Sequence, residues 1–124
     1  VNATDQAAIS AFPELAHLIA LRNGGWRFLP PVVRDGRPVE VDGFREWPGG
    51  DRDMIGVRSP SEVLGLRVTG DEPPGLVWEH TGSLAEVVRA LLTLPPPGTR
   101  TAPRLVVAAG PPLWTPDLAF GPPS

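Results

Sequence analysis

Seventeen of the 124 residues are proline, and most stand in clusters at Pro30–Pro31, Pro73–Pro74, Pro95–Pro97, Pro111–Pro112 and Pro122–Pro123. A proline pair gives no N–H to a sheet ladder and cannot continue a helix, so each cluster marks a joint between elements. The chain is thereby confined to short elements separated by fixed breaks. What each stretch becomes is then a matter of hydrophobic periodicity.

Phe12, Leu15, Ala16, Ile19 and Ala20 recur at helical spacing. They predict a first helix over about Ala11 to Asn23, with Ser10 as cap, Pro13 in the first turn and Asn23-Gly24-Gly25 as a left-handed stop. Strands are expected at Trp26–Leu29, Val39–Asp42, Met54–Arg58, Val63–Thr69 and Leu76–Glu79, where apolar and polar residues alternate. Arg34-Asp35-Gly36-Arg37, Pro48-Gly49-Gly50-Asp51, Ser59-Pro60-Ser61 and Asp71–Gly75 read as turns, and Asp42-Gly43 as a bulge. Short turns between neighbouring strands favour an antiparallel meander.

Ser83 and Glu86 form a capping-box pattern ahead of Leu84, Val87, Val88, Leu91 and Leu92, which fall on one helical face. Pro95–Pro97 ends this second helix, and Arg104–Ala109 can add one more strand. The apolar stripes of both helices need a partner, and one sheet face supplies it. The expected fold is a two-layer α+β domain: a four- to five-stranded antiparallel meander packed against an N-terminal and a C-terminal helix. The domain is expected over residues 1–110, with residues 111–124 as a Pro-rich extended tail whose Trp114 and Phe120 cover an apolar groove.

Composition excludes several chemistries. All eleven basic residues are arginine, and there is no lysine, cysteine or tyrosine. Schiff-base chemistry, thiol nucleophiles, thiolate metal sites and a phosphate loop ending in Gly-Lys are therefore out of reach. A formal charge of −3 argues against a general nucleic-acid binder. The longest apolar stretch, Leu105–Ala109, is too short to cross a bilayer. The N-terminal stretch shows no basic region followed by an apolar run, so no secretory signal is expected and a cytoplasmic location is the default.

Three constellations deserve weighing. Asp51, Asp53, Gly56 and Glu62 match EF-hand loop positions 1, 3, 6 and 12, but Ile55 replaces a ligand and Glu46-Trp47-Pro48-Gly49-Gly50 cannot supply the preceding helix. No metal or cofactor is expected there. His80, beside Glu79 and ahead of Ser83, could act as a general base in a small hydrolase or lyase together with the carboxylates of Asp51–Asp53. Ser83 is needed as a cap, however, and neither His80 nor His17 has a metal-ligand spacing, so no catalytic set is assigned.

Third, arginines and tryptophans interleave at Trp26-Arg27, Arg45-Glu46-Trp47, Arg58, Arg67 and Trp78. Trp26 and Trp78 suit the core, whereas Trp47 beside Pro48-Gly49-Gly50 suits the surface. A shared sheet face of rings and guanidinium forks would bind a protein partner, or more weakly single-stranded nucleic acid. Arg45, Trp47, Arg58 and Arg67 are the expected contact residues of such a non-enzymatic binding or regulatory module. A homodimer is one simple way to cover that face. On this reading Trp47→Ala weakens binding and leaves the melting temperature nearly unchanged.

Gly25-Trp26-Arg27-Phe28, Arg45-Glu46-Trp47-Pro48-Gly49-Gly50, Val77-Trp78-Glu79, Leu94-Pro95-Pro96-Pro97-Gly98 and Leu113-Trp114-Thr115-Pro116 resemble a type of small protein from Streptomyces-like actinomycetes. The resemblance spans most of residues 12–116 and implies no activity and no site residues. Exclusive use of arginine, with abundant Ala, Gly, Pro and Val, fits the coding bias of such GC-rich genomes.

Overall fold

The computed structural model describes residues 15–110. α1 (Leu15–Asn23) leads into β1 (Arg27–Phe28), β2 (Val32–Arg34), β3 (Arg37–Glu46), β4 (Arg52–Ser59), β5 (Glu62–Val68) and β6 (Gly75–Gly82). α2 (Leu84–Thr93) and β7 (Ala108–Ala109) complete the order. The strands make one antiparallel sheet in the order β1-β3-β4-β5-β6-β7, with β2 also paired to β3. The α+β class and the meander are as the sequence predicts. Ser10, Pro13 and the tail over residues 111–124 lie outside the described residues.

The strand count is seven, not four to five. Pro30-Pro31 is one cause, because it divides the edge alongside β3 into two short pieces. β1 pairs Arg27 with Phe44, and β2 pairs Val32 with Glu40 further along the same strand. Asp35 and Gly36 adopt φ of 53° and 73°, so the β2–β3 hairpin turns through a two-residue loop with both central residues left-handed. Asp-Gly is the pair that tolerates this.

The bulge expected at Asp42-Gly43 is not formed. β3 pairs without interruption through Val41, Asp42, Gly43 and Phe44 against Val57, Gly56, Ile55 and Met54. The glycine serves close packing instead: a Cβ on Gly43 would lie 2.6 Å from Phe28 Cε1.

α1 stops where the glycines permit it. The Trp26 amide donates to Leu21 O at 3.1 Å, and Gly25 takes φ 99°, closing a left-handed cap. Ser83 caps α2, its Oγ accepting the Glu86 amide at 3.2 Å and meeting Glu86 Oε1 at 3.2 Å. The two side chains of the capping box thus bond one another as well as the backbone.

α2 lies across β4, β5 and β6, while α1 packs against α2. Between them and the sheet, Leu21, Trp26, Ile55, Val63, Leu84, Val87, Val88 and Leu91 form the main core, with Trp78 packed against it. Met54, Leu64, Leu66 and Val68 form a second buried cluster, packed with Phe44 and Leu76. Strand alternation puts this cluster on the face turned away from α2. The centre of that face is therefore apolar, and the arginine- and tryptophan-rich open face expected from the sequence is not formed.

α2 approaches the sheet closely over Gly65, where a Cβ would meet Val87 Cγ1 at 2.8 Å and Leu91 Cδ1 at 3.3 Å. Gly65→Val is expected to destabilise the fold by about 1–3 kcal/mol through overpacking. Urea denaturation read by far-UV circular dichroism checks this, with a lowered midpoint as the expected result.

Candidate partner-binding site

Antiparallel pairing aligns Arg45, Asp53, Arg67 and Trp78 in one row across β3, β4, β5 and β6. Directly paired residues share a face, so the row lies on the helix side, just past the C-terminal end of α2. Arg67 is wholly buried and Asp53 is 1% exposed. The guanidinium grips the carboxylate with two bonds, Nε to Oδ1 at 2.5 Å and Nη2 to Oδ2 at 2.9 Å. Arg67 Nη1 donates to Pro95 O at 2.6 Å. That carbonyl follows the last turn of α2, where the helix dipole favours a cation. Planar fork geometry explains why arginine serves here, since a lysine could not make all three bonds from one fixed plane.

Trp47 completes the group from the start of the β3–β4 turn. Its Nε1–H donates to Asp53 Oδ2 at 3.0 Å. Arg45 lies over the indole with its guanidinium carbon 4.1 Å from the ring centroid, and that of Arg67 lies 5.7 Å away. The ring is half-buried and fixed by these contacts. It borders a groove of about 480 Å³ lined also by Pro48, Gly49, Asp51, Pro96 and Pro97. Asp51 holds the turn beside it, with Oδ1 accepting the Gly70 amide at 2.9 Å.

The four residues expected to make one contact surface are thus divided. Arg45 and Trp47 meet at this groove. Arg67 is placed next to them but buried, so it supports the site and does not present a free cation. Its expected exposure is corrected by the buried carboxylate at Asp53, which the sequence offered only as a metal-ligand position. Arg58 stands at the other end of β4, where its Nε donates to Glu40 Oε1 at 3.2 Å and Nη1 lies 3.6 Å from Glu62. Trp47 is more enclosed than a turn position suggested, because the indole N–H has an acceptor in Asp53.

The other two constellations do not converge. Asp51 to Glu62 runs mainly as the extended strand β4, which holds the first and last carboxylates roughly 25 Å apart. Asp53 is committed to Arg67, and among the described residues no group of three or more His, Asp or Glu side chains could hold a metal. His80 is exposed and stacked on Trp78 with ring centroids 6.2 Å apart. Glu79 points to the opposite face by alternation, and Asp53 lies two strands away. Among the described residues no helix is long and apolar enough to cross a membrane. No family model matches the chain, and neither does any curated protein or solved structure.

Proposed function

We propose that the protein is a non-enzymatic binding module that takes a protein partner at the Trp47 groove. The observation that carries this reading is a rigidly held indole, flanked by Arg45, at the rim of a proline-lined groove. Tryptophan and arginine dominate the energetics of protein interfaces when their conformation is fixed before binding. The Asp53–Arg67 pair provides that fixation from beneath. Pro48, Pro96 and Pro97 add apolar surface that costs little ordering entropy on contact.

Arg45 and Trp47 are the contact residues of this reading, and Arg67 is a positioning residue. Arg45→Ala is expected to weaken partner binding by about 1–2 kcal/mol while leaving the melting temperature nearly unchanged. Trp47→Ala removes the contact ring and the indole bond to Asp53 together, so it is expected to lower both affinity and melting temperature. This revises the behaviour expected of an exposed tryptophan.

The measurement is capture of nuclease-treated lysate proteins on wild type, Arg45→Ala and Arg58→Ala, followed by titration of the purified partner. A partner lost with Arg45→Ala and kept with Arg58→Ala supports the groove. Equal loss with both variants, or sedimentation showing that the captured species is only a second copy held elsewhere, would sink it.

A further inference from the structure

At the opposite end of the sheet, the N-terminus of α2, α1 and the outer ends of β3 and β4 enclose a second groove. Leu15, Leu18, Val39, Val41, Val57 and Leu84 line it, with a volume of about 360 Å³. One acid interrupts this apolar lining. Glu40 borders the groove at 4% exposure. Its Oε1 accepts Arg58 Nε at 3.2 Å, while its Oε2 is buried with no hydrogen-bond partner. A buried carboxylate oxygen without a donor is unfavourable, and a ligand that brings one gains the missing bond.

Charge points the same way. The Arg58 guanidinium is shared between Glu40 at 3.2 Å and Glu62 at 3.6 Å. In this cluster two carboxylates therefore face one cation, and a positive head is favoured over a neutral or negative one. We propose that this groove binds a small free alkylamine, its ammonium meeting Glu40 Oε2 and its hydrocarbon body lying against the leucines and valines. Each buried methylene adds to affinity, so affinity rises with chain length until the groove is filled. The depth of Glu40 separates a free amine from a lysine of a protein, because a peptide backbone cannot follow the ammonium below the rim. The site lies at the other end of α2 from Trp47, and its test is independent of the protein-partner reading.

The experiment is isothermal titration of the full chain with n-hexylamine, n-hexanoate and Nα-acetyl-lysine methylamide. Hexylamine is expected to bind, with the carboxylate and the lysine analogue at least about tenfold weaker. Glu40→Gln is expected to reduce hexylamine binding about tenfold or more. That variant also disturbs Arg58, so Val39→Trp provides a second arm. Val39 is 38% exposed, and a tryptophan there blocks the groove without opening the core. Loss of hexylamine binding in Val39→Trp, with an unchanged melting temperature, supports the site. Absence of hexylamine binding to the wild type, equal binding of hexanoate, or full binding by Val39→Trp overturns it. Equal binding of the lysine analogue would transfer the groove to a protein side chain and overturn the free-amine assignment.

Discussion

Asp53→Ala is expected to cost about 3–5 kcal/mol of folding stability, or roughly 10–20 °C in melting temperature. The change leaves the Arg67 guanidinium wholly buried with Pro95 O as its one remaining acceptor among the bonds it makes. It also strips the Trp47 indole of its acceptor. Two desolvated donors are then unpaired, and each carries the penalty of a lost bond inside the protein. Replacing both charges, as Asp53→Leu with Arg67→Met, is expected to recover most of the loss. The cost of burying the ions disappears with them. Thermal denaturation of wild type, both single variants and the double variant forms a complete cycle. Single variants melting with the wild type would show that the pair has no net weight. Under the proposed function, the double variant would fold yet bind its partner poorly, because nothing would hold Trp47 from below.

Trp26→Ala is the second large effect, at about 3–5 kcal/mol. Trp26 is 4% exposed and belongs to the core cluster with Leu21, Ile55 and Leu91. It also stands where the stop of α1 becomes β1, its amide bonded to Leu21 O. Removing the ring leaves a cavity at the point where helix, edge strand and sheet converge. A core closed around three elements cannot collapse freely into such a space. Urea titration should show a lower midpoint with an unchanged slope, the signature of lost stability in an otherwise similar transition. Trp26→Phe should lose distinctly less, because most of the apolar volume stays. Equal losses in the two variants would mean that the contact of the larger ring contributes little.

Elements governed by local rules were legible in the sequence. Ser83 and Glu86 capped α2, Asn23-Gly24-Gly25 stopped α1, and Asp35-Gly36 turned a hairpin, each through bonds between residues a few positions apart. The meander followed from the shortness of its turns. Features set by register were not legible. Whether Gly43 marks a bulge or a close approach depends on Phe28 lying across it, and that depends on which residue of β3 faces β1. The site shows the same division. The tryptophan beside a turn and the neighbouring Arg45 could be read as a contact point. The burial of Arg67 could not, because its partner Asp53 is fourteen positions away and meets it only through strand pairing. A signal did exist: Asp53 has the same parity as Ile55 and Val57, which places a carboxylate on the core-facing side of β4.

The divided edge beside β3 has a consequence for how the protein keeps its own company. A continuous exposed strand is a template for pairing with another chain, and it is a common starting point for aggregation. Here Pro30-Pro31 leaves pieces of two and three residues, β1 and β2, along the β3 edge. Neither piece offers an incoming strand a long run of free donors and acceptors. The proline pair thus acts as a gatekeeper that keeps this margin from being extended into larger assemblies, and its removal should tell first in solubility at high concentration.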